Sequence, residues 1–477
     1  MPSKRGVALT SGRIITGLAG IGIAAVTIAA AGQLTLPTIE ITPQDVLVTP
    51  VAGDQSLVCP GPLLALAQDA TAATASGSFG PASVDFGAGG VSATTTQLAA
   101  PDNASGPADG TPTVITVPGA SDGTVTPLSG SQSQIAAEAD IAGLAAAACT
   151  PASGESWLVG GSSDIGRTTL VLLDNPSAVD SNVTLDVFGA AGKVDAPGAA
   201  GIVVAAGTQR VIALTGLAPN EPTPVVHVTS QGGQIVAGLQ QSTVRVLAPG
   251  GVELQGPTAA PSTEVVIPGL VVTAAAAVGA SSDTASVDDR ATALRMFVPG
   301  TETADVVVTA HRENSKDAPI VIDATVQPGV PGEIALAELP AGEFSLEISS
   351  DQPIVAAARS NSRGGALEDF AWFGATPSLD DTAAFTVPTG PGPKLHILNP
   401  TGDAAALTLT DADGKETTAT VAAGAAATVA ITAGQSYVMD GSEGIHASIS
   451  LAAAGRLTSL PVSPPNPLAA PITVYPR

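Results

Sequence analysis

Imidazole is the side chain that most often carries acid–base chemistry or a metal near neutral pH, so the four histidines are weighed first. His227, His311, His396 and His446 stand singly and far apart. None falls in an HxH, HExxH or Cys/His grouping that would bring ligands together, and each reads as a residue on a strand face. No GxSxG elbow or SxxK motif accompanies the many serines, and no glycine-rich phosphate loop follows a strand at the required spacing. The run Asp411-Ala412-Asp413-Gly414-Lys415-Glu416 has the look of a calcium loop, but it lacks a third acidic ligand and a distant glutamate. It reads as a hairpin turn. Asp288-Asp289 and Asp380-Asp381 read as solvated loop acids. The sequence therefore predicts no catalytic residue, no cofactor, no metal site and no enzyme. A cryptic hydrolase with carboxylates converging from separate loops is the least favoured alternative.

Two further features are candidates for a role. Cys59 and Cys149 are the two cysteines of the chain, and in an exported protein such a pair is expected to form a disulfide. Closing a loop of 90 residues would stabilise by roughly 4 to 5 kcal/mol on the chain-entropy model. The segment DFAWFG, residues 369–374, gathers three of the few aromatics. Core or inter-domain packing is its ordinary explanation, and an exposed Trp372 platform for a glycan is the sharper one.

The elements that would position these residues follow a recurring pattern. A strand ending in proline closes at Pro176, Pro299 and Pro400. A strand–Gly–strand run follows at residues 204–214, 326–336 and 421–431, with Gly207, Gly329 and Gly424 each seven residues before its end. A closing aliphatic strand lies around Ile235, Ile354 and Ile445. Many runs alternate apolar and polar residues, as in Val183, Leu185 and Val187 against Thr184 and Asp186, the period of a half-buried antiparallel strand. Units of this length with about seven short strands each predict an all-β fold of tandem Ig-like antiparallel β-sandwiches rather than a propeller.

The expected organisation is a membrane anchor or signal segment at 1–33, then an Ala-rich β region with a flexible loop and the cysteine pair at 34–154. Sandwiches follow at 155–250, 262–363 and 369–458, and a Pro-rich tail with an edge strand at 459–477. The stretch at 56–67 resembles that at 264–275 and suggests a partial fourth unit. Residues 101–133 read as a long flexible loop, and residues 134–148 as a short helix or an Ala-rich strand.

At the N-terminus, Lys4, Arg5 and Arg13 precede an uncharged apolar run at 15–32. That is long enough to span a bilayer as a single helix, with the N-terminus inside and the bulk of the chain outside. Cleavage near Ala29-Ala30-Ala31 would make the protein secreted instead. A net charge of −25 argues against nucleic acid as a partner.

The CPGP at 59–62, SWLVGG at 156–161, the Asn175-Pro176 strand ending and Ala371-Trp372, following an apolar N-terminal segment, together resemble an uncharacterised actinobacterial family of exported envelope proteins, the domain of unknown function 5719 type. The resemblance implies an extracytoplasmic location and a partnership with membrane glycosyltransferase machinery; it transfers no catalytic residue. The expected function is a non-enzymatic cell-envelope scaffold or binding module, contacting the membrane through its N-terminal helix and an envelope protein or glycan through its sandwiches. An accessory subunit of a membrane glycosyltransferase is the alternative.

Overall fold

The computed structural model describes residues 46–48, 53–66, 76–120, 125–274, 289–464 and 472–474. The apolar segment within 1–33 lies outside the described residues; among those described, no helix is long and apolar enough to cross a membrane. The chain divides into two units. In the smaller, residues 1–49 with 471–477, Val46–Val48 pairs antiparallel with Ile472–Val474. Both stretches were expected to be extended, and both are strands.

The larger unit, residues 50–470, is built from pairs of antiparallel sheets. In one pair, Glu155–Val159, Val225–Gly232, Ser181–Gly189 and Gly192–Lys193 lie side by side in that order, with Ile202–Val204 also on Ser181–Gly189. Facing them are Thr208–Ala213, Arg167–Asn175, Val236–Arg245 and Ala248–Gln255. The next pair repeats this order. Ser262–Val272, Gly342–Gly364, Ala304–Arg312 and Ile320–Val326 face Gly332–Ala335, Ala293–Phe297, Gly342–Gly364 again, and Leu367–Gly374. Here one long strand passes from the first sheet into the second. The last pair sets Thr382–Thr386, Ser436–Asp440, Ala405–Asp411 and Glu416–Val421 against Ala425–Ala430, Pro393–Asn399, His446–Ala453 and Arg456–Pro461. A shorter version precedes all three, with Gln55–Cys59, Thr113–Val117 and Thr94–Gln97 against Ser83–Ala88, Leu128–Ala137 and Ala142–Ala148.

Each sheet pair encloses an apolar core, as the alternating strands require. Val183, Leu185 and Val187 point inward to meet Val171, Leu173 and Leu239 of the facing sheet. The proline and glycine landmarks prove to be bonded to each other. Gly207 N donates to Asn175 O, Gly329 N to Val298 O, and Gly424 N to Asn399 O. All three glycines have φ between 64° and 71°, with open space where a Cβ would sit. It is the left-handed backbone that demands glycine there. Asn175 and Asn399 then brace the turns that follow Pro176 and Pro400. The amide of Asn175 donates to the carbonyls of Val179 and Val204, and that of Asn399 to those of Asp403 and Val421.

The disulfide forms as expected: Cys59, ending a strand of one sheet, bonds Cys149, just past the last strand of the facing one. Residues 134–148, read as a short helix or an Ala-rich strand, are neither a helix nor a single strand: 134–137 end Leu128–Ala137, and after a turn at 138–141 the Ala-rich Ala142–Ala148 pairs back on it. Leu144 and Ala146 point into the core of the last sheet pair, while Ala145 and Ala147 pack on Leu170, Leu172 and Leu254. A strand buried on both faces favours small side chains, and Leu144 is the one large residue among the alanines and glycine of this strand.

Two expectations are corrected. The long loop read at 101–133 contains Thr113–Val117 and the start of Leu128–Ala137. Its polar residues are strand residues that bond neighbouring segments, as Ser129 Oγ does with Thr386 Oγ1 at 2.8 Å. The breaks placed at 250 and 369 are also displaced. Ala248–Gln255 pairs with Val236–Arg245, and the aromatic strand Leu367–Gly374 pairs with Gly342–Gly364, so each closes the sheet before it. Gly250-Gly251, at the expected break between units, serves close packing instead. A Cβ on Gly251, at φ 119°, would lie 2.5 Å from Phe370 Cδ1 and 3.0 Å from Asp369 Cα. Gly251→Ala is therefore expected to cost more than about 2 kcal/mol, whereas Gly207→Ala meets only backbone strain and should cost about 1 kcal/mol. Urea denaturation of the two variants checks the contrast; equal losses would mean that the approach at Gly251 is not tight.

Candidate functional site

The strands that close the four sheet pairs, Ala142–Ala148, Ala248–Gln255, Leu367–Gly374 and Arg456–Pro461, are edge strands, and they converge on one carboxylate. Asp369 Oδ2 accepts from Leu144 N at 2.8 Å and Leu457 N at 3.1 Å. Its Oδ1 accepts from Val252 N at 3.3 Å and Phe370 N at 3.1 Å. Beside it, Glu253 Oε1 accepts from Thr458 Oγ1 at 3.1 Å and Ser459 N at 3.5 Å, while Ala146 N donates to Thr458 Oγ1 at 3.0 Å. An edge strand presents backbone N–H groups without ladder partners, and here side-chain oxygens take the place of the missing strand. Burial pushes the Asp369 carboxyl up to about 8, against the pull of its four N–H donors. Glu253 is raised by burial first and by its acidic neighbour Asp369 second.

A second cluster joins the last two sheet pairs. His396, on Pro393–Asn399, has Nδ1 2.6 Å from Glu313 Oε2 and Nε2 2.7 Å from Ser450 Oγ. Hydroxyl, imidazole and carboxylate thus stand in the order of an acyl-transfer relay. Both Ser450 and His396 are 0% exposed, however, so the hydroxyl is closed off from solvent. Glu313, Glu343 and His396 also bring three potential metal ligands within 4.8 Å of one another. Their oxygens are already engaged. Lys394 Nζ pairs with Glu343, Ser345 Oγ donates to Glu313 Oε1 at 2.8 Å, and Thr428 Oγ1 donates to Glu313 Oε2. The cluster works as a polar lock between sheets. Sequence reading missed it because His396 and Glu313 are 83 residues apart, on strands that nothing local pairs.

Trp372 is no exposed platform. It is 2% exposed, with the Arg295 and Arg359 guanidinium carbons 4.6 Å and 5.5 Å from its ring centre. Its Nε1 donates to Gln241 Oε1 at 2.8 Å. Glu333 bridges the two arginines, at 2.8 Å from Arg295 Nη2 and 3.1 Å from Arg359 Nη2. Two buried guanidinium groups need both a counter-charge and a π-face, and Glu333 and Trp372 supply them.

The remaining histidines are strand residues with local partners. His227 stacks on Trp157 with centroids 4.1 Å apart, His311 lies 3.1 Å from Glu347, and His446 lies 2.9 Å from Thr376 O. The 411–416 run is a hairpin turn closed by Asp411, which accepts from Asp413 N and Lys415 N. An open groove of about 600 Å³ runs beside Trp157, walled by Pro151, Ile235, Pro257, Pro261 and Pro377.

A family model described as a family of unknown function (DUF5719) matches residues 99–432. The match takes in Asp369, Glu253, His396, Glu313 and Trp372, and leaves out Cys59, Ser450 and Thr458. No curated protein matches the chain. Among solved structures, the one titled "Crystal Structure of Thermotoga maritima 1070" is 19% identical, covers 24% of this chain and 92% of its own, and has a TM-score of 0.19, which carries no argument about fold.

Three buried acids that hold their protons more tightly than usual, Asp369, Glu253 and Asp174, tilt stability with pH. In the unfolded chain a carboxyl ionises near pH 4, about 3.9 for Asp; in the folded protein Asp369 keeps its proton to about 8. Between those values the folded state holds the extra proton, so stability falls as pH rises, by up to about 1.4 kcal/mol per pH unit for the one group. Glu253 and Asp174, both raised by burial, act in the same direction. Asp369→Asn should flatten the slope between about pH 4 and 8 while lowering stability overall, because its amide nitrogen faces N–H donors. Chemical denaturation across that range is the check; an unchanged slope would mean that Asp369 is ionised throughout.

Proposed function

Since the chain belongs to the family of unknown function DUF5719, whose model spans 334 of its 477 residues, its role has to be read from the molecule itself, and we propose a non-enzymatic, extracytoplasmic cell-envelope protein. In this reading, tandem Ig-like sandwiches form a scaffold or binding module, held at the membrane by the apolar segment at 15–32. One observation carries it. The groups with chemistry in them, Asp369, Glu253, His396, Ser450, Arg295 and Trp372, are all buried between sheet pairs, where they bind backbone or each other. What faces outward is β-surface, strand edges and the proline-walled groove at Trp157. Surfaces of that kind suit recognition of another envelope protein or a glycan. The Cys59–Cys149 disulfide supports an oxidising compartment.

The full chain, tagged at its C-terminus and captured from detergent-solubilised native membranes, tests the proposal by mass spectrometry and sugar analysis. Recovery of an envelope protein or wall polymer is the expected result. Co-purification of a membrane glycosyltransferase would move the assignment to an accessory subunit, the role that the family resemblance implies. An empty capture, or a chain found in the cytosol, would overturn it. Trp372→Ala should cost about 3 to 5 kcal/mol by opening the junction around it. If the variant retains its fold, it should still retain its partner, since the ring is not at the surface.

A further inference from the structure

One cross-strand pair recurs at the same place in each repeat, four residues before the landmark proline and four after the landmark glycine. It is Leu172 opposite Val211, then Arg295 opposite Glu333, then His396 opposite Thr428. Leucine and valine satisfy the strand there, so the two polar pairs answer to what lies across each junction. At Arg295, two arginines share one glutamate and the face of Trp372. At His396 the signs are reversed. A second cross-strand pair, Glu313 and Glu343, faces it from the preceding sheet pair, joined where Glu313 N donates to Glu343 O at 3.0 Å. Glu343 pairs with Lys394, whose side chain is 43% exposed. Among the described residues the ion-pair partner of Glu313 is His396, and their side chains are 1% and 0% exposed. Two carboxyl groups this close call for a further positive charge. An imidazole supplies it only by taking a proton, whereas a metal ion supplies more and uses the imidazole as a ligand.

The donor atoms are arranged for the metal. Each potential ligand is held by its outer atom: His396 Nε2 lies 2.7 Å from Ser450 Oγ, Glu313 Oε1 accepts from Ser345 Oγ at 2.8 Å, and Glu343 Oε1 accepts from Lys394 Nζ. The inner atoms then turn toward one another, with His396 Nδ1 2.6 Å from Glu313 Oε2 and Thr428 Oγ1 3.3 Å from Glu343 Oε2. Outer partners that fix the direction of each ligand are the usual surroundings of a bound metal. Four-coordinate Zn²⁺ takes imidazole and carboxylate donors at about 2.0–2.2 Å, which sets them about 3.4 Å from each other. Glu313 and His396 need part by less than about 1 Å to meet that spacing. Glu343, its side chain 26% exposed, gives an ion a way in, and the burial of Glu313 and His396 shields it from water as in structural sites.

We propose that His396, Glu313, Glu343 and Thr428 form a structural divalent-metal site, suited to Zn²⁺, that clamps the last two sheet pairs together. Full-length protein, freed of metal with a chelator, is titrated with Zn²⁺ in excess Mg²⁺, which fills loose sites on the acidic surface. One Zn²⁺ per chain is expected to bind and to raise the urea midpoint. Glu343→Gln and Lys394→Gln break the same ion pair, yet they act oppositely on a metal. The first removes a ligand and should weaken Zn²⁺ binding at least about tenfold; the second removes a competing charge and should tighten it. Zinc lost from both variants alike, zinc bound undiminished by Glu343→Gln, or none bound by the unaltered chain would overturn the site.

Discussion

Four edge strands meet inside residues 50–470, and an edge strand carries backbone N–H groups that nothing in its own sheet can satisfy. Burying them unpaired would cost on the order of 1 to 3 kcal/mol each, and adding another strand is impossible where four edges already face one another. The Asp369 carboxyl group resolves this by accepting from Leu144, Val252, Phe370 and Leu457, one N–H from each closing strand. The remaining geometry depends on that contact. Gly143 and Gly251 must be glycine, because a Cβ on either would lie within 3.0 Å of Asp369 or the Val252 backbone. Glu253 and Thr458 extend the same bonding to Ser459 and Ala146.

The other junctions repeat the solution with different chemistry. Between the second and third sheet pairs, Arg295 donates to the carbonyls of Gly161 and Pro224 while Glu333 and Trp372 hold its charge. Between the third and fourth, Ser448 Oγ donates to Pro268 O, and His396 packs where a Cβ on Gly269 would come within 2.7 Å of its ring. Buried polar pairs of this kind add little net stability compared with well-packed apolar ones. Their value lies in direction, since an arginine fork or an imidazole accepts few arrangements of its partners. Sheet faces lined mainly by Val, Leu and Ala have little else to fix how one pair sits on the next.

Local signals made the strands legible. Alternation marked the Val183, Leu185, Val187 face, and Asn175-Pro176 with Gly207 marked a turn that is one bonded motif. The cysteines could be paired because there were only two. The buried acid was not legible: Asp369 heads the aromatic DFAWFG run as one of 42 acidic residues, and nothing near it names Leu144 or Leu457. Ser450, His396 and Glu313 were unreadable for the same reason, each being an ordinary polar residue on its own strand. Glycine misled most. Gly250-Gly251 carries the signature of a linker, yet it is there to let two edges touch, and one residue type serves both purposes.

The low aromatic content acquires a physical meaning in this light. Cores of Val, Leu and Ala are thin, and a thin sandwich buries too little surface to offset its chain entropy by a wide margin. Several cores here are shared instead. Leu144 and Ala146 of the first sheet pair complete the core of the fourth, Leu170 and Leu254 of the second pack on Ala145 and Ala147 of the first, and Leu457 of the fourth enters that of the third. A strand such as Ala142–Ala148, buried on both faces, belongs to two cores at once. The units that the sequence presents as separate modules are thus joined through their interiors, and cutting the chain between them would expose apolar faces and unpaired edges together.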